Sequence, residues 1–84
     1  MTQDDVRTIL SDHARLPVEP AGLEPDADLY EAGMTSHASV SVMLALEDHF
    51  DVEFPDEMLK PSVFASIGAI SVAIEQLRAD QAAA

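Results

Sequence analysis

The 84-residue sequence contains no cysteine. Disulfides and thiolate metal sites are therefore excluded, and the polypeptide has no nucleophilic thiol of its own. Basic residues are scarce: 4 Lys and Arg stand against 16 Asp and Glu, for a formal net charge of -12. Nucleic acid and anionic membranes both demand positive charge, so neither is an expected partner. A basic protein surface, met by electrostatic steering, is the partner this charge favours; the plainer reading is that the charge keeps a small protein soluble. No apolar run approaches the roughly 20 residues needed to span a bilayer. The acidic start, Met1-Thr2-Gln3-Asp4-Asp5, lacks the basic segment and apolar core of a signal peptide. A soluble, cytoplasmic, monomeric protein is expected.

The hallmarks of a catalytic or metal site are also missing. There is no Gly-rich phosphate loop. His13, His37 and His49 are scattered, and His37 and His49 fall about 120° apart around one helix, so they share no metal-binding face. Ser36 and His37 are neighbours without the glycines of a nucleophile elbow. Glu47 and Asp48 diverge. The acids Glu19, Glu24, Asp26, Asp28 and Glu31 do not follow the alternating pattern, central Gly and closing Glu of a calcium loop. The chain is not expected to be an enzyme or to hold a metal.

What is present is a helical pattern in one small domain. Apolar residues make up 48%, so the chain is globular by composition, with the thin core that its size allows. A first helix is predicted over 2–14, with Val6, Ile9, Leu10 and His13 on one face, Thr2 as N-cap, Asp4 and Asp5 in the first turn and Arg15 near the other pole. His13 reads as a boundary residue of that face. A loop follows over 16–35. Pro17, Pro20, Gly22, Pro25 and Gly33 break any helix there, and Leu23, Leu29 and Met34 should pin the loop to the core.

A second helix is predicted over 36–50, with no Gly or Pro between Val40 and Phe50. Ser39, Val42, Met43, Leu46 and Phe50 form its core stripe. His37, Ser41, Leu44 and Asp48, with Val40 at the border, form its other face. That face is either ordinary solvated surface or a docking face for a partner protein. Val52 and Phe54 should plug the end of the bundle. Pro55 to Lys60 reads as a short helix stopped by Pro61, and Ser66 caps a last helix over 67–78 with Ile67, Ile70, Ile74 and Leu77 inward; Gly68 costs that helix a little. The fold class is all-α: three main helices plus one short helix. Residues 1–80 form the domain and 81–84 a frayed tail.

Ser36 lies where the long loop becomes the second helix. Thr35 and Ser36 are both N-cap types, and the free N–H groups of a helix start tolerate an anion. A serine in that place could carry a phosphate.

Asp28-Leu29-Tyr30-Glu31-Ala32-Gly33-Met34-Thr35-Ser36, followed by Val40 to Phe50 and by Val52-Glu53-Phe54-Pro55-Asp56, resembles the acyl carrier proteins. The resemblance extends to the Phe64-Ala65-Ser66-Ile67 approach to the last helix and covers nearly the whole chain. It implies 4′-phosphopantetheine carried on Ser36 as a phosphodiester, attached by a phosphopantetheinyl transferase. Its thiol would hold an activated cargo as a thioester, delivered at high effective concentration to a downstream acceptor or transferase. It also implies that Thr35, His37, Val40, Ser41, Leu44, Glu47 and Asp48 face docking partners. Two departures qualify the match. Thr35-Ser36-His37 replaces the family's usual Asp-Ser-Leu, and Ala38 and Ser41 replace early acids of the second helix. The Gly-x-x-Ser-x-Ala-Ser-Val pattern is most similar to the discrete bacterial aminoacyl carrier proteins, served by ligases that resemble a truncated seryl-tRNA synthetase. An amino acid is then the expected cargo. The alternatives are an acyl carrier for fatty-acid or polyketide-type synthesis and an unmodified helical interaction domain in which Ser36 is only a cap.

Overall fold

Thr2 to His13 form the first helix, α1, of the computed structural model, which describes residues 2–14, 16–17 and 19–83. Val6, Ile9 and Leu10 are buried on its inner face. His13 is exposed, as a boundary residue should be. Thr2, expected to cap the helix, is instead its first helical residue. Arg15 and Ala84 lie outside the described residues.

The segment from 16 to 35 is a series of turns held at several points. A 3-10 turn spans Pro20–Gly22. The Arg7 guanidinium, projecting from α1, donates hydrogen bonds to the carbonyls of Pro20 and Leu23. Leu29 is fully buried, and its N–H donates to the Ala65 carbonyl at 2.7 Å. Met34 is buried and Leu23 packs against the core, so the three apolar anchors read from the sequence hold the loop down.

The second helix, α2, spans Ser36–Phe50. Val42 and Leu46 are buried, with Met43 and Phe50 packed beside them. It ends at Asp51, which takes the left-handed conformation (φ 54°), while the N–H groups of Asp51 and Val52 both donate to the Glu47 carbonyl. The chain then runs extended. Val52 and Phe54 are buried and close one end of the core, with the Phe54 and Phe64 rings 5.3 Å apart.

The expected short helix from Pro55 to Lys60 is a single 3-10 turn, Asp56–Met58, with Pro55 at its N-cap. Pro61 does not simply stop it. A second 3-10 turn, Pro61–Phe64, follows at once. Two prolines six residues apart leave too little room for an α-helical ladder, and a ring lacking N–H suits the start of a short turn.

Ser66 caps the third helix, α3, accepting from the Ala69 N–H at 3.0 Å. This helix spans Ile67–Ala83, five residues beyond the expected end at Arg78. The extension is tied down: the Gln81 side-chain amide donates to the Asp51 carbonyl at 3.0 Å, joining the last turn of α3 to the end of α2. Ile67, Ile70 and Ile74 are fully buried, and Leu77 packs beside them.

Helix α1 lies against both other helices, whereas α2 and α3 touch each other little. The second 3-10 turn packs against α3. Residues 59–64 form a wedge that faces α2 across an open groove, with Phe64 buried in the core beneath it.

Candidate functional site

The approach to Ser36 is built residue by residue from the turn before it. The Asp28 carboxylate accepts from the N–H groups of Tyr30 and Glu31 at 2.9 and 3.3 Å, a turn that asparagine and aspartate favour. Leu29 anchors the turn in the core, and the Met34 N–H returns to the Leu29 carbonyl at 3.0 Å. Between them Gly33 has φ 121°, a conformation that side-chain-bearing residues rarely adopt. A Cβ at Gly33 would also stand 2.7 Å from Cδ of Pro17. The Asp-Leu-x-x-x-Gly-Met run is thus a clasp that sets where α2 begins.

Thr35 is the N-cap. Its hydroxyl accepts from the Ala38 N–H at 3.0 Å and its carbonyl from the Ser39 N–H at 2.9 Å. Ser36 is the first helical residue and is exposed. Among the described residues no side-chain hydrogen bond engages its hydroxyl. The neighbouring Ser39 hydroxyl donates instead to the Ser36 carbonyl at 2.7 Å. The first N–H groups of α2 have no carbonyl partner within the helix, and the first turn carries no acid. The positive pole of the helix is therefore available to an anion held on Ser36.

On one flank of Ser36 is a groove of about 300 Å³. Val40 and Met43 of α2 form one wall, Leu59, Lys60 and Phe64 of the wedge another, with Tyr30 at the base of the loop. Only Val40 of these was a candidate from the sequence. Leu59, Lys60 and Phe64 are set beside Ser36 by the segment of the two 3-10 turns, some 23 to 28 residues further along, and no local periodicity announces such a meeting. On the other flank a more polar hollow brings together His13, Thr35, His37 and Ser41. Among the described residues no cluster of three or more His, Asp or Glu side chains could hold a metal.

The remaining candidates fall on both sides of a division. His37, Val40, Leu44 and Asp48 are exposed and Ser41 is half-buried, so one face of α2 continues away from Ser36. Val40 and Leu44 are 51% and 56% exposed, large fractions for aliphatic side chains. Glu47 is different. It is half-buried, and its carboxylate accepts from the Phe54 N–H at 2.8 Å, so it is engaged in holding the chain beyond α2.

The family model of the phosphopantetheine attachment site matches residues 4–74. An aminoacyl carrier protein of Agrobacterium fabrum is 48% identical over 65 residues, 77% of this chain and 78% of the relative. In the solved structure of an engineered Bradyrhizobium japonicum glycine:[carrier protein] ligase complexed with a carrier protein from Agrobacterium tumefaciens and AMP, one chain matches with a TM-score of 0.85. That match is 42% identical and covers 87% of this chain and 97% of the other. A solution structure of an Agrobacterium tumefaciens protein matches with a TM-score of 0.76 at 40% identity, covering 98% of this chain and 99% of the other. Among the described residues no helix is long and apolar enough to cross a membrane.

Proposed function

Since this chain belongs to the phosphopantetheine attachment-site family, we propose that Ser36 is the attachment residue and that the holo protein is an aminoacyl carrier. The observation that carries this reading is the setting of Ser36: exposed, first in a 15-residue helix, and at the rim of a groove. The residues fit the group. A phosphodiester on the Ser36 oxygen would lie against the unpaired N–H groups and positive pole of α2, and no acid in the first turn opposes it. The group supplies, when bound, the terminal thiol that a cysteine-free chain lacks and on which cargo is held as a thioester.

The chain itself does no chemistry. Ser36 offers its hydroxyl to the transferase that brings coenzyme A. Thr35 fixes the first turn of α2 by its cap, so the hydroxyl is presented at a defined place. The exposed face of His37, Val40, Ser41, Leu44 and Asp48 lies beside it and is the docking surface for the transferase, the amino acid ligase and the acceptor. The relative's name and the ligase complex support an amino acid, glycine in the first instance, as cargo. Attachment that draws on coenzyme A and loading that draws on ATP support the cytoplasm as the protein's location.

The test is to offer the holo protein to a glycine:carrier protein ligase with ATP and glycine, and separately to a fatty-acyl ligase. Formation of a hydroxylamine-labile glycyl adduct only with the first is the expected result. Loading only by the second overturns the aminoacyl reading.

A further inference from the structure

Three fixed cations lie among the described residues, and two are in structural use. Arg7 donates to the Pro20 and Leu23 carbonyls, and the Arg78 guanidinium lies 6.0 Å from the centre of the Phe50 ring. The third, Lys60, makes no salt bridge or side-chain hydrogen bond among the described residues, although Asp56 and Glu57 precede it within a few positions. It is exposed and it lines the same groove as Ser36. The rest of that groove is largely apolar, with Val40 and Met43 facing Leu59 and Phe64. A hydroxyl, an uncommitted ammonium and an apolar wall in one groove match a ligand with an anionic head and a less polar body.

The geometry points to Lys60 as the positioning residue for the attached arm. Its ammonium pairs with the phosphodiester on Ser36, adding to the helix pole on the same anion, and so turns the arm toward the groove rather than into solvent. This rests on the reading of Ser36 as the attachment residue. An exposed ion pair is weak and screened by salt. The arm is therefore biased toward the groove and still free to leave it, as a carrier that must surrender its cargo requires. In a chain of net charge -12, most surface groups repel the phosphodiester. A lysine at this place supplies attraction where the arm begins.

The test uses nitrogen-15-labelled protein, modified with coenzyme A and a transferase and confirmed as a single adduct by mass. Failure to form the adduct would count against Ser36, not against Lys60. The readout is the change in amide chemical shifts between unmodified and modified protein. In the native sequence, residues 36–40 shift on modification and so do Leu59, Lys60 and Phe64. In Lys60→Gln the shifts at 36–40 remain while most of those at 59–64 are lost, and Lys60→Arg restores them. Raising NaCl diminishes them in the native protein. The inference is overturned if the native protein shows no shifts at 59–64, if Lys60→Gln retains them in full, or if Lys60→Arg fails to restore them.

Discussion

The carboxylate of Glu47 accepts a hydrogen bond from the backbone N–H of Phe54 at 2.8 Å. An acid in the last turns of a helix opposes the helix dipole, so its presence there calls for a compensating contact, and this bond is one. It fixes the exit from α2 and with it the buried positions of Val52 and Phe54. Glu47→Ala leaves the Phe54 amide without its partner and should cost about 1–2 kcal/mol in urea unfolding of the unmodified protein. Glu47→Gln keeps an acceptor oxygen and should lose less than half of that. Loading by the ligase should be unchanged in Glu47→Gln, since the side chain is turned to the chain's own backbone.

Two glycines should respond in ways their helix and loop positions alone would not suggest. Gly33→Ala forces a side chain into φ 121° and against the Pro17 ring, and a loss of about 1–3 kcal/mol is expected. Gly68 is in the first turn of α3, where alanine would ordinarily gain up to about 1 kcal/mol. Its added Cβ would lie 3.2 Å from the Pro25 carbonyl oxygen, which also accepts the Gly68 N–H at 2.8 Å. Gly68→Ala should therefore give no gain in thermal midpoint. A clear rise would show that the Pro25 contact is unimportant.

Leu44 tests the docking face. It is exposed in the free protein, so Leu44→Asp should leave stability within about 0.5 kcal/mol of the parent. If the face meets the ligase, kcat/KM for loading of the holo protein should fall at least about tenfold, equivalent to about 1.4 kcal/mol. Unchanged loading would remove Leu44 from the docking surface.

Much of this structure is legible in the sequence because it is local. The bounds of α2, the caps at Thr35 and Ser66 and the inward stripes of Val42 and Leu46 and of Ile67, Ile70 and Ile74 all follow from residue type and a 3.6-residue period. The place of Ser36 as first residue of α2 is legible because a loop-to-helix junction is a local event; its role as attachment residue is what the family resemblance implies. The misses are relations between distant segments. Lys60 meets the Ser36 groove through two 3-10 turns that have no strong period. Glu47 is placed among the docking residues by the family resemblance, and its bond from the Phe54 N–H, seven positions along, is not announced by the helix pattern. The last turns of α3 are weakly patterned, and their Gln81 contact with Asp51 spans 30 positions.

The decisive measurement is the intact mass of the purified protein before and after incubation with coenzyme A, magnesium and a broad-specificity phosphopantetheinyl transferase. A single phosphopantetheine adduct is expected, mapped by peptide analysis to Ser36 and absent from Ser36→Ala, with the unmodified variant still folded. No adduct under conditions that modify a control carrier, or an adduct at any other residue, would contradict the assignment of Ser36.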